Sequence, residues 1–123
     1  MRRYTTLAME SRGDIRCITL DRPERRNAFD SRMISELTQA FDESAQEPSL
    51  RGVLLSSAGP VFCAGADLQW MQSTSPISEA QAQDDAHRLT RMFRAIDECP
   101  CPLIGRVQGP AFGGGLGLMA VCD

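Results

Sequence analysis

The chain has 123 residues, 13 basic and 16 acidic, with a formal charge of −3 at pH 7. That suits a single domain and gives no general attraction to nucleic acid or to an anionic membrane surface. Every basic residue is arginine, which excludes a Schiff-base lysine and a phosphate-loop lysine.

In chain order, residues 14–20 are β-branched and partly alternating, which predicts a strand ending at Arg22-Pro23. A charged loop, Arg22 to Arg26, follows. Asp30 suits the N-cap of a helix whose apolar positions Met33, Ile34, Leu37, Phe41 and Ala45 fall at helical spacing, with Pro48 marking its end. Gly52 to Ser57 is a short apolar run bounded by turn residues, as a buried strand is. It delivers a first glycine-rich turn, Phe62-Cys63-Ala64-Gly65-Ala66-Asp67-Leu68.

Ser73 to Ile77 reads as a loop, and Ser78 to Glu98 as an amphipathic helix with Leu89, Met92, Phe93 and Ile96 on one face. Pro102 to Val107 predicts a third strand. It feeds a second glycine-rich turn, Gly109-Pro110-Ala111-Phe112-Gly113-Gly114-Gly115-Leu116-Gly117-Leu118, and a helix over Leu116 to Val121. The order strand, helix, repeated three times, predicts an α/β fold with helices packed on a sheet. No internal repeat is visible.

Glycine and alanine let a ligand oxygen approach the backbone, and helix starts leave unpaired N–H groups. Two such turns can therefore aim donors at one point, which is the geometry of an oxyanion hole. The competing reading makes each an ordinary strand-to-helix connection. Gly115-Leu116-Gly117-Leu118-Met119-Ala120 also fits the dinucleotide fingerprint G-x-G-x-x-G/A, a weak signal when it stands alone.

The five cysteines are odd in number, which predicts reduced thiols in a cytoplasmic setting rather than a disulfide framework. Cys99-Pro100-Cys101 lacks the C-x-x-C spacing and the second pair that a redox or metal motif carries, so no metal is expected. His87, the one histidine, lies in a polar helical stretch and reads as a solvated side chain. Met1 to Tyr4 leads into a polar stretch rather than a signal segment, and no run reaches membrane-spanning length.

With Leu20-Asp21-Arg22-Pro23 and Asn27-Ala28-Phe29 upstream, the two turns resemble the crotonase family of enoyl-CoA hydratases and isomerases from about Ile15 to Asp123. The resemblance implies a crotonase-type spiral of ββα units, with residues 1–123 forming the N-terminal portion of the domain. It implies an acyl-CoA thioester as ligand, coenzyme A entering as part of the substrate and no separate cofactor, and a trimer or hexamer in the full-length form. It makes the N–H groups of Ala66 and Gly114 the oxyanion donors. It lines the coenzyme A channel with Ala64, Ala66, Asp67, Leu68 and Gln69, and brings Arg22, Arg25 and Arg26 to the phosphates. A solvated loop is the other reading of those arginines, and a helix cap the other reading of Asp67.

Leu68-Gln69-Trp70-Met71 is similar to the methylglutaconyl-CoA hydratase-like branch, which places Trp70 either over an acyl chain or in the core. Two departures matter. Many relatives carry lysine at the Gln69 position. Typical hydratases carry their first catalytic glutamate where this chain has Gly117, and their second in a segment beyond Asp123. The expected parent reaction is hydration of a 2-enoyl-CoA, with little or no turnover by these 123 residues alone. The alternative is a non-catalytic remnant that binds coenzyme A weakly or joins other subunits.

Overall fold

A computed structural model describes residues 4–67, 69–70 and 78–123. The elements are β1 (Leu7–Arg12), β2 (Ile15–Leu20), a 3-10 turn (Pro23–Arg25), α1 (Ser31–Ala45), β3 (Gly52–Ser57), α2 (Glu79–Asp97), β4 (Leu103–Gly105) and α3 (Gly114–Ala120). The strands form one sheet in the order β1-β2-β3-β4. β1 is antiparallel to β2, while β2, β3 and β4 run parallel, with α1 and α2 in the crossovers. Parallel strands require such crossovers, and helical ones bury the sheet.

The predicted elements sit within a few residues of the observed ones. Asp30 caps α1, its carboxylate accepting from Met33 N–H at 2.8 Å, and Ser78 caps α2 through Gln81 N–H at 3.2 Å. Met33, Ile34, Leu37 and Phe41 are buried with Ile18, Leu20, Leu55, Met92, Ile96 and Leu103 in one core. Ala45, placed on the same stripe by spacing, is exposed, and Ala40 and Ser44 complete the buried face instead. β4 is shorter than its apolar run, and α3 begins two residues before Leu116. The Ser73 to Ile77 loop lies outside the described residues.

β1 carries no clear strand signal of its own, because Leu7-Ala8-Met9-Glu10-Ser11-Arg12 is mostly exposed and its second half is polar. Its pairing with β2 makes it a strand, through a two-residue turn at Gly13-Asp14. A buried carboxylate anchors the entry to this edge strand. Glu36 of α1 accepts from the N–H groups of Thr5 (3.1 Å) and Thr6 (2.8 Å) and from both threonine hydroxyls (3.1 and 2.7 Å).

Burial pushes the Glu36 pKa up, but these hydrogen bonds outweigh it and leave the pKa below the ordinary value. A depressed folded-state pKa gives stability that is present above the unfolded value of about 4.3 and is lost as pH falls through the folded one. Glu36→Gln should therefore lower unfolding free energy at neutral pH by about 1–3 kcal/mol. It should also flatten the acid limb of stability against pH; urea denaturation from pH 7 to pH 3 measures both.

Candidate functional site

The first glycine turn is held between two extended segments. On one side Phe29 N–H donates to Gly65 O and Asp67 N–H to Phe29 O, each at 2.7 Å, making a parallel bridge between Phe29 and Ala66. On the other, Phe62 N–H donates to Pro110 O (2.9 Å) and Phe112 N–H to Cys63 O (3.0 Å), bridging Cys63 and Ala111. Segments 27–29, 62–67 and 110–112 thus lie side by side.

Gly65 sits at the meeting of the two turns. Its φ is +88°, and a Cβ built there would lie 2.8 Å from Phe112 O and 3.2 Å from Gly114 N. Backbone cannot yield as a side-chain tip can, so glycine is required. The two turns therefore abut, as the oxyanion reading needs. Among the described residues the N–H groups of Ala66 and Gly114 donate to no protein acceptor.

An open cleft of about 550 Å³ lies beside the first turn, lined by Ala64, Ala66, Asp67, Arg25, Arg26 and Phe112, with Glu24 at its margin. Asp67 is buried, and its carboxylate accepts from Arg25 Nε (3.2 Å) and Nη2 (3.1 Å) and from the N–H groups of Gln69 (2.8 Å) and Trp70 (3.2 Å). The Arg25 bond, aided by the two N–H groups, holds its pKa below the usual carboxylate range against the opposing effect of burial. Asp67 thus serves as a helix cap and as the anchor of Arg25.

Arg22 is spent in the same network. Its guanidinium donates to Ala28 O at 2.8 Å and pairs with Asp30 at 3.3 Å and Asp67 at 3.5 Å. Gln69 is exposed, and lines with Arg22 a neighbouring depression that shares Arg25 and Asp67 with the cleft. Arg26 is exposed on the cleft wall, with no carboxylate against its guanidinium among the described residues. Leu68 lies outside the described residues. Trp70 is half-buried against the core.

Three residues that shape the site were not singled out for these roles by the sequence. Asn27 is fully buried at φ +56°, after Arg26 at φ +55°. Its Oδ1 accepts from Arg22 N–H at 2.8 Å, and its Nδ2 donates to Ala58 O at 2.8 Å and Val61 O at 2.9 Å. Asparagine tolerates the left-handed region better than most residues, which is the one local signal available. Phe93 of α2 packs edge-on to Phe29 at 6.2 Å. A Cβ at Gly117 would lie 2.9 Å from the Phe93 ring, and one at Gly114 would lie 2.7 Å from the Phe29 ring. Aromatic carbon therefore occupies the space a side chain at 117 would enter.

Other groups are settled by their surroundings. Cys63 is buried, which raises its thiol pKa, and its Sγ donates to Asn27 O at 3.1 Å. His87 is exposed. Among the described residues no three His, Cys, Asp or Glu side chains are grouped to hold a metal, and no helix is long and apolar enough to cross a membrane.

The family model for enoyl-CoA hydratase/isomerase matches residues 10–123. The "Probable enoyl-CoA hydratase echA6" of Mycobacterium tuberculosis is 43% identical over 106 residues, covering 86% of this chain and 40% of that protein. The "Enoyl-CoA hydratase AKT6-1" of Alternaria alternata is 37% identical over 118 residues, covering 94% and 36%. The crystal structure of an enoyl-CoA hydratase from Shewanella pealeana superposes with a TM-score of 0.93 at 38% identity, over 97% of this chain and 45% of that one. The chain thus spans about two-fifths of the length of the curated relatives it matches.

Two substitutions test the scaffold. Asn27→Ala strips partners from one N–H and two carbonyl oxygens, and should cost about 2–4 kcal/mol in urea unfolding, with water relieving part of the loss. Gly117→Glu drives a side chain into the Phe93 ring and should cost about 1–3 kcal/mol. That penalty should shrink in a Phe93→Ala background; an unchanged penalty would show that the ring is not the obstacle.

Proposed function

We propose that this chain, which belongs to the enoyl-CoA hydratase/isomerase family, binds an acyl-CoA thioester in the cleft beside Ala66. The thioester oxygen is then held by the N–H groups of Ala66 and Gly114. One observation carries the reading: the two glycine turns abut at Gly65, and neither N–H is spent on a protein acceptor among the described residues. Removing a proton next to a thioester carbonyl, or adding water across the conjugated double bond, places negative charge on that oxygen. Fixed backbone donors need no reorganisation to meet it.

Ala64 and Ala66 present only methyl groups, so the thioester can lie against the backbone. Arg26 supplies the exposed positive charge for the phosphates, with Arg25 held beside it by Asp67 and Arg22 fixing Asp67 from behind. The parent reaction is hydration of a 2-enoyl-CoA, of methylglutaconyl type on the Leu68-to-Met71 resemblance. For the longer form, assembly as a trimer or hexamer is proposed on the resemblance alone.

A second reading has a specific observation in its favour. Proton transfer needs a group within reach, and the carboxylates by the cleft are poorly placed for it. Asp67 is bound by Arg25 and two N–H groups, while Glu24 stands on the exposed 3-10 turn. At Gly117 there is aromatic ring rather than acid. The 123 residues then act as a binding half-site that stabilises an enolate without turnover.

Both readings require preference for a thioester. Titrating acetoacetyl-CoA and free coenzyme A by calorimetry should show the thioester bound about tenfold more tightly, with growth of the enolate absorption band. Ala66→Pro removes one N–H while sparing the bonds of Gly65 O, Phe29 O and Asp67 N–H, and should erase that preference. No hydration of a 2-enoyl-CoA is expected from the chain alone, and measurable turnover would reject the half-site reading. Equal affinity for thioester and free coenzyme A would reject the oxyanion assignment.

A further inference from the structure

Cys99-Pro100-Cys101 is absorbed by neither reading. It lies in the connection between α2 and β4, outside both glycine turns. The two sulfur atoms are 3.8 Å apart and both residues are half-buried against the core. The other cysteines are committed elsewhere. Cys17 is buried, Cys63 donates to Asn27 O, and Cys122 donates to Leu118 O at 3.2 Å.

The contact between Cys99 and Cys101 is fixed from both ends. Cys99 N–H donates to Ile96 O at 3.2 Å, closing the last turn of α2. Beyond Cys101, Pro102 O accepts from Val53 N–H at 2.9 Å, and Leu103 N–H donates to the Asp123 carboxylate at 2.8 Å. Between these anchors Pro100 restricts its own φ to about −65°, and the chain bends at residues 100 and 101. Two thiols are thereby held in contact by backbone that has little freedom to separate them.

We propose that Cys99 and Cys101 form a thiol–disulfide exchange site, at which a low-molecular-weight disulfide oxidises the pair to an intramolecular disulfide. One protein thiol loses its proton and its thiolate attacks a sulfur of the small disulfide. That S–S bond breaks, a mixed disulfide forms, and the departing thiolate takes up a proton. The second protein thiol is deprotonated in turn and attacks the protein sulfur of the mixed disulfide. The Cys99–Cys101 bond forms and the second small thiol leaves, protonated.

Two protein thiols are oxidised and the small disulfide is reduced to two thiols, so the exchange balances. Sulfur separation closes from 3.8 Å to the roughly 2.05 Å of a disulfide bond. Burial raises the Cys99 thiol pKa against the opposing backbone hydrogen bond of Cys101, and the Cys101 thiol and Asp123 add to the rise. Exchange should therefore be faster in alkaline buffer.

This site does not depend on the acyl-CoA reading, and its test makes no use of that ligand. The full chain is incubated in mixtures of reduced and oxidised glutathione, alkylated, and digested with trypsin. Cleavage at arginine yields Ala95 to Arg106, which contains Cys99 and Cys101 and no other cysteine. The expected product is this peptide lighter by two hydrogens and without alkyl groups, restored to two alkyl groups by dithiothreitol.

With the resolving thiol removed, at least one of Cys99→Ser and Cys101→Ser should accumulate a single glutathionyl adduct at the remaining cysteine. A peptide carrying two alkyl groups at every redox ratio would overturn the proposal. So would two glutathionyl adducts in the wild-type chain, a cross-link to Cys122 or to a second chain, or the absence of an adduct in both variants.

Discussion

The site depends first on one buried amide. Asn27 sits at zero exposure in a left-handed conformation, with both side-chain polar atoms in hydrogen bonds that cross three parts of the chain. A buried amide with open valences is costly, and a fully bonded one defines position in a way apolar packing does not. Because it binds both the start of the arginine loop and the chain leaving β3, it sets where residues 27–29 lie. The bridge from Phe29 to Ala66 then places the first turn, so the orientation of Ala66 traces back to Asn27.

The second turn is placed differently. Among the described residues no buried polar side chain bonds to it, and it is located instead by Phe112 N–H on Cys63 O, by Gly65 against Phe112 O, and by two glycines of α3 on the rings of Phe29 and Phe93. These are short-range constraints that glycine alone satisfies. The Phe29 and Phe93 pair therefore has two roles: it joins the segment before α1 to α2, and it sets how closely α3 approaches. Gly114 seats on the Phe29 ring and the Phe93 ring takes the space at Gly117, so the pair that seats Gly114 also crowds out an acid one turn on.

Much of this was legible in the sequence, for reasons that can be named. α1, α2 and β3 carry strong apolar periodicity and clear caps, so Asp30 and Ser78 mark helix starts with little competition. The two turns announce themselves by glycine content, and their likeness to the crotonase pattern supplied a pairing that periodicity could not. What stayed hidden were partners distant in sequence. Nothing local tells that Glu36 will accept from Thr5 and Thr6, that Arg22 and Arg25 will turn inward onto Asp67, or that Phe93 will face Gly117. β1 is hidden for the same reason, since its mostly exposed segment is a strand through its pairing with β2.

An asymmetry between the two glycine turns follows from burial. The first turn is flanked by chain on both sides, and Phe62, Cys63 and Asp67 within it are buried. Around the second, Ile104, Phe112 and Leu116 are each more than half exposed, and Val107 and Met119 more than a third. Large apolar side chains gathered on one short stretch of chain mark a surface that gains by being covered. Among the described residues β4 pairs on one side only, which leaves an open sheet edge at that end of the sheet.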